Sequence, residues 1–153
     1  MKKFLIAIVS LIAASAISWQ LLGLYWKYEY GQKAPKVSLT VSEVSRHYYL
    51  FVPDNLTEPA PLVLAFHGGG GGGWRFPQQF LFEELAAAEG FIMAFPEAQH
   101  VEPNEGGWQL NSRADWMQDI NYVSAVIDDI GSGYSIDKLR VYGIGYSLGS
   151  MFI

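Results

Sequence analysis

The stretch LRVYGIGYSLGSM, residues 139–151, decides the fold class. Its first six residues have the apolar, β-rich character of a buried strand, and GYSLG follows with no intervening loop. Gly-x-Ser-x-Gly at a strand-to-helix turn is the arrangement in which backbone strain lifts a serine oxygen clear of a sheet. Gly145 and Gly149 allow such a turn. The pattern predicts Ser147 as a catalytic nucleophile, with the backbone N–H of Leu148 as an oxyanion donor.

A second motif lies upstream, where LVLAF (62–66) is followed by His67 and the run Gly68–Gly73. The apolar segment is typical of a strand buried on both faces of a parallel sheet. Acyl transfer passes through an oxyanion, and glycines allow the main chain to turn its N–H groups toward that charge. A flexible glycine linker is the alternative, but such linkers seldom separate a buried strand from an amphipathic helix. We expect His67 to support the loop by hydrogen bonding rather than to act as a base.

The remaining pattern alternates strands and helices. A hairpin is predicted at 37–52, and the long loop 97–114 contains Trp108. This alternation predicts an α/β fold with a doubly wound, mostly parallel sheet. The predicted strands are 37–41, 46–52, 62–66, 91–95 and 139–144, the last expected to be buried; the predicted helices are 80–89 and one that begins near a capping box at Asp115 and continues to Ile130.

Composition excludes several classes of function. The net charge is −5 and no basic run is present, so nucleic acid is not an expected partner. The absence of cysteine excludes disulfides and thiolate zinc sites. No histidine and carboxylate cluster has metal-ligand spacing, so we expect neither a metal nor a cofactor.

The N-terminal residues indicate export. Lys2 and Lys3 precede an apolar run from Phe4 to Trp26, long enough to cross a bilayer. The small-x-small triplet at 14–16 also fits a signal-peptidase site, so residues 1–26 are predicted to be a signal peptide or a signal-anchor helix. Residues 27–36 follow as a linker and 37–153 as the folded domain. We expect that domain to be extracytoplasmic, with the membrane as a partner if the helix is not cleaved.

These motifs in this order identify a resemblance. The chain resembles the α/β-hydrolases of the polyhydroxybutyrate depolymerase and feruloyl esterase group through RHYYLFVP, PLVLAFHGGGGGGW, AAAEGFIMAFPEA, GGWQL, DINYVSAVIDDI and YSIDKLRVYGIGYSLGSM. The resemblance implies a serine esterase acting on a small-molecule or polymeric ester. It implies Ser147 as nucleophile and places Trp108 near the substrate cleft. It implies that the oxyanion hole is formed by Leu148, Gly68, Gly69 and Gly70.

The catalytic set expected of this fold is incomplete in the sequence. α/β-Hydrolases place an acid and then a histidine after the serine in chain order. Here His47, His67 and His100 all precede Ser147. The acidic residues Asp115, Asp119, Asp128 and Asp129 are interpreted as helix cap and helix surface. We therefore expect an N-terminal part of a longer esterase that is inactive alone.

Two other interpretations stay open. The chain could be a membrane-tethered, hydrolase-like domain that binds a partner without catalysis. Alternatively, Gly143, Gly145 and Gly149 after a strand resemble a loose dinucleotide-binding loop of an oxidoreductase, although such a loop normally opens its domain.

Overall fold

The computed structural model describes residues 2–70, 72–73, 81–99, 107–110 and 117–153. The elements within these residues are, in chain order, helix α1 (Lys2–Lys33), strands β1 (Lys36–Val41), β2 (Val44–Phe51) and β3 (Ala60–Phe66), helix α2 (Phe82–Glu89), strand β4 (Ile92–Pro96), helix α3 (Met117–Gly133), strand β5 (Ile136–Gly145) and helix α4 (Leu148–Phe152).

The strands form one sheet in the order β1-β2-β4-β3-β5. The three strands β4, β3 and β5 are parallel, while β1 and β2 form an antiparallel hairpin that pairs with β4. Because β4 and β5 lie on opposite sides of β3, the two crossover connections run in opposite directions along the sheet. This arrangement confirms the predicted α/β fold class and the predicted hairpin.

The core lies on both faces of the sheet, as alternation along the strands requires. On β4, Ile92 and Ala94 pack in the cluster that includes residues of α3, whereas Met93 and Phe95 pack in the cluster that includes Ala86 of α2. All of β4 is buried. A strand covered on both faces needs a continuous apolar run, which is why FIMAF gave no alternating pattern.

Strand β5 differs from its prediction. It extends farther in both directions than 139–144 and lies at the edge of the sheet, where Leu139 is 93% exposed and Tyr142 is 52% exposed. The prediction that β5 is buried is wrong for the described residues, because β3 pairs with one of its edges and no described strand pairs with the other. Its apolar composition therefore did not indicate its position in the sheet.

The helices also differ in their bounds. Helix α1 does not stop at Trp26 but continues to Lys33, so most of the stretch predicted as a linker, 27–36, is helical. Helix α3 ends at Gly133, three residues beyond the predicted end at Ile130. The predicted start of α2 at Phe80 and the capping box at Asp115 lie outside the described residues.

Candidate active site

Ser147 occupies a strained turn between β5 and α4. Its backbone has φ 51° and ψ −117°, and a non-glycine residue in so sparsely populated a region costs about 1–3 kcal/mol. The turn is held by backbone bonds from Gly149 N–H to the Tyr146 carbonyl (3.0 Å) and from Ser150 N–H to the Ser147 carbonyl (3.0 Å). The Ser150 hydroxyl donates to the carbonyl of Gly145 (2.6 Å). Such strain is retained where the surrounding structure fixes it, and functional sites are where it concentrates.

The two flanking glycines fit their positions sterically. A Cβ on Gly149 would lie 2.2 Å from the backbone oxygen of Phe66 at the end of β3. A Cβ on Gly145 would lie 2.5 Å from the backbone carbonyl carbon of Gly149. Both contacts are with backbone, which cannot move aside as a flexible side chain could. The Gly-x-Ser-x-Gly spacing therefore follows from the close approach of α4 to β3 and β5.

The glycine loop after β3 lies against this turn because β3 and β5 are parallel neighbours that end together, with Phe66 opposite Gly145. A Cβ on Gly68 would lie 3.3 Å from the Ser147 Cβ, and one on Gly69 would lie 3.4 Å from a Leu148 side-chain carbon. The structure thus brings Gly68 and Gly69 beside Ser147 and Leu148. Gly70 has φ +67°, which favours glycine, but a Cβ there would meet nothing within 4 Å.

His67 links two loops through its ring. The Ala98 N–H donates to Nε2 (3.0 Å), so Nε2 carries no proton in this arrangement. The proton therefore resides on Nδ1, which donates to the carbonyl of Gly68 (2.7 Å). Both ring nitrogens are engaged, and neither can accept the hydroxyl proton of Ser147. This geometry is that of a residue supporting the loop.

Trp108 is buried in the core of the domain, where its side chain is 2% exposed. Its place near the substrate cleft stays a prediction. The indole N–H donates to the carbonyl of His67 (2.9 Å), and the ring stacks on Phe152 of α4 at 4.9 Å between centroids. Trp108 therefore contacts both the start of the glycine loop and the helix that follows Ser147.

The structure contains a buried ion pair between Arg46 and Asp119 that was not predicted from the sequence. Asp119 was interpreted as helix cap or surface, but it is 0% exposed and its Oδ1 accepts from Arg46 (2.8 Å). Its Oδ2 accepts the N–H of Gln109 (2.8 Å), the residue after Trp108. A signal was present, since Asp119 shares helical phase with the buried Tyr122 and Val126.

Glu97 fixes the other end of the glycine loop. Its Oε2 accepts the N–H of Gly73 (2.6 Å), and its own N–H donates to the hydroxyl of Tyr122 (3.2 Å). Burial raises the pKa of the Tyr122 hydroxyl, which stays protonated and donates to the carbonyl of His47. Burial, with the Glu97 carboxylate adding to it, also raises the pKa of Tyr49 to about 12. Strand β2 and the loop after β4 are joined through these groups.

The described histidines do not approach Ser147 as bases. His47 lies on β2, three strand spacings from β5, or roughly 14 Å at about 4.8 Å per strand. His67 is engaged as above, and His100 lies outside the described residues. In the parts of the chain described, no group of three metal-ligating side chains converges, and the expectation of a site without metal or cofactor stays a prediction.

The known proteins that are similar to this chain include several esterases. The chain is 31% identical over 107 residues to a bifunctional acetylxylan esterase/xylanase from Neocallimastix patriciarum, covering 70% of this chain and 15% of that protein. It is 27% identical to feruloyl esterase B from Thermothelomyces thermophilus over 67% of this chain and 36% of the relative. Among solved structures, the acetyl xylan esterase from Aspergillus awamori matches with a TM-score of 0.65 and 23% identity, over 76% of this chain and 44% of that one. No protein-family profile matches the chain.

The sheet order, the serine turn and the solved structure define an α/β-hydrolase fold. In sequence the chain is similar to acetylxylan and feruloyl esterases. The α/β-hydrolase fold and these relatives favour a hydrolase over the dinucleotide-binding interpretation. The chain spans less than half the length of each relative compared.

Proposed function

We propose that the protein hydrolyses carboxylic esters, with Ser147 as the nucleophile. The observation that carries the proposal is the strained backbone of Ser147 at a turn directly against Gly68. The Ser147 hydroxyl oxygen attacks the acyl carbon, its proton passes to a base, and the alcohol leaves from the tetrahedral intermediate. Water then hydrolyses the acyl-enzyme and restores the hydroxyl.

Backbone N–H groups stabilise the oxyanion in this proposal. The N–H of Leu148 is one donor, and the others come from the start of the glycine loop at Gly68 and Gly69. Amides fixed before the reaction stabilise developing charge without reorganisation, and loss of one such donor costs about 10²–10³ in kcat. Gly70 contributes through its positive φ, which turns the loop.

The activity belongs to the whole protein. Neither described histidine is placed to take the proton of Ser147, and in this fold an acid and a histidine follow the serine in chain order. We therefore propose that residues 37–153 supply the nucleophile and oxyanion donors, and that this part alone is inactive. Losing members of a serine triad leaves only about 10³–10⁴-fold catalysis over water.

The names of the relatives support a proposal for the substrate class. Their names include acetylxylan esterase and feruloyl esterase. We propose an acyl ester carried on a polysaccharide, presented outside the cytoplasm. Acetylated xylan, methyl ferulate and p-nitrophenyl acetate compared at equal concentration would separate an acetyl from an aromatic acyl preference.

The test is active-site labelling of the full-length protein. A fluorophosphonate probe should label it, and Ser147→Ala should abolish both labelling and p-nitrophenyl acetate hydrolysis while preserving the circular dichroism spectrum. Ser132→Ala is the matched control, since that exposed hydroxyl lies on α3 and donates to the Asp129 carbonyl. Ser150 is a poor control because its hydroxyl holds the turn. Turnover unchanged by Ser147→Ala would remove Ser147 from the mechanism, and a folded wild type that is never labelled would favour a non-catalytic binding domain.

A further inference from the structure

Most of helix α1 carries no charged side chain on any face. The segment Phe4–Trp26 spans 23 residues, contains no charged residue and has no buried residue. At 1.5 Å per residue this segment is about 35 Å long, which exceeds the roughly 30 Å hydrocarbon core of a bilayer. An amphipathic helix that docks on its own domain would bury one face, and no residue of Phe4–Trp26 is buried.

We propose that α1 is retained as a transmembrane anchor, with the lipid bilayer as its partner. The alternative is cleavage after Ala16, which would leave residues 17–26 at the start of the mature chain. Seven large apolar side chains of that segment are between 47% and 78% exposed: Ile17, Trp19, Leu21, Leu22, Leu24, Tyr25 and Trp26. Cleavage would leave these residues in water, whereas retention places them in lipid.

The C-terminal end of the segment fits a bilayer boundary. Tyr25 and Trp26 lie edge to face with their ring centroids 5.6 Å apart, and exposed Tyr28 follows. Tyrosine and tryptophan concentrate at membrane interfaces, where an apolar ring body and a polar tip are both satisfied. At the other end the chain carries Lys2 and Lys3.

The junction with the domain is short. Helix α1 ends at Lys33 and β1 begins at Lys36. Between them Ala34 is buried, and the carbonyl of Pro35 accepts the N–H of Leu50 (3.2 Å). Helical residues 27–33 rise only about 10 Å. The anchor therefore holds the sheet, and the candidate site on it, close to the membrane surface.

The test is independent of esterase activity. The full-length protein, expressed in a bacterial host, should fractionate with membranes, resist extraction by alkaline carbonate and retain residues 2–16 by intact mass. The double variant Leu11→Arg/Leu22→Arg should lose at least half of its membrane-bound fraction. The matched control is Leu81→Arg/Leu85→Arg, which changes two exposed leucines of the domain by the same chemistry and should stay membrane-bound.

Three outcomes would overturn the proposal. A soluble mature chain that begins at Ile17 would identify a cleaved signal peptide, and Ala16→Leu would then convert that chain to a membrane-bound form. An intact chain in the soluble fraction would show that another protein surface covers α1. Equal loss of membrane binding in the arginine variant and its control would show that the domain, not α1, binds the membrane.

Discussion

Replacing Asp119 with asparagine should lower the free energy of unfolding by about 3–5 kcal/mol, the cost of breaking a buried ion pair at one partner. Asp119 is 0% exposed and Arg46 is 5% exposed, so the small values measured for surface pairs do not apply. Both carboxylate oxygens accept, one from Arg46 and one from Gln109 N–H. Asparagine has one acceptor and one NH₂ group, so one of these donors would face another donor.

Other contacts of Arg46 reduce the expected loss. Its guanidinium also donates to the Glu97 carbonyl (3.2 Å) and lies 3.8 Å from the centre of the Tyr122 ring. Because both contacts remain in Asp119→Asn, we expect a loss near the lower end, about 3 kcal/mol. In the double variant with Arg46→Met the loss should be smaller than the sum of the single losses, since no unpaired cation is left buried.

Urea unfolding followed by tryptophan fluorescence measures these free energies. Asp128→Asn is the matched control, because it makes the same change on an exposed position of the same helix and should shift stability by less than about 0.5 kcal/mol. If Asp119→Asn shifted stability no more than Asp128→Asn, or if the double variant showed no coupling, the ion pair would not stabilise the fold as argued.

Three further predictions concern the turn, the core tryptophan and pH. Gly149→Ala should abolish fluorophosphonate labelling, because the added Cβ would lie 2.2 Å from a backbone oxygen of β3. The control Gly133→Ala should leave labelling unchanged, because its added Cβ would have no atom within 4 Å. Equal labelling of the two variants would refute the steric argument. Trp108→Phe removes the indole N–H from a buried carbonyl and should lower kcat more than it raises KM, a split that steady-state kinetics measures; a change confined to KM would contradict it. The hydrogen bond from Arg140 holds the pKa of exposed Asp137 below its usual 3.8, so this bond stabilises the fold above about pH 4 and less as pH falls through the lowered pKa. Carboxyl NMR titration should show that Arg140→Gln raises the pKa of Asp137, and an unchanged pKa would count against the bond.

The sequence predicted the parts of the site that are local. The turn at Ser147 and the loop at Gly68 are each encoded within a few neighbouring residues, since each needs glycines at fixed spacing. The order of the strands in the sheet could not be predicted from the sequence, because an apolar run looks alike whether its strand is central or at an edge. Strand β5 shows this, since its segment 139–144 was predicted to be buried and Leu139 is 93% exposed.

The contacts of the site that the sequence did not predict join residues that are far apart along the chain. Arg46 and Asp119 are 73 positions apart, and their contact requires the register of β2 and the rotation of α3 to be right together. The residues next to Trp108 in the sequence do not indicate whether its side chain faces solvent or the core, and the structure shows it buried. Its hydrogen bond to the carbonyl of His67 requires residues 107–110 to lie beside the end of β3, which local sequence does not encode.

The glycine loop explains why polar residues are buried around this site. Glycines have no side chains to pack and lose more conformational entropy on ordering than any other residue. Apolar burial therefore cannot hold the loop in place, although oxyanion donors must be fixed before reaction. Polar contacts do so at both ends, through the ring of His67 on the Gly68 carbonyl and the carboxylate of Glu97 on the Gly73 N–H. Asp119 extends the same support to the neighbouring loop through the N–H of Gln109. The buried charges of this domain thus fix backbone that the hydrophobic core cannot reach.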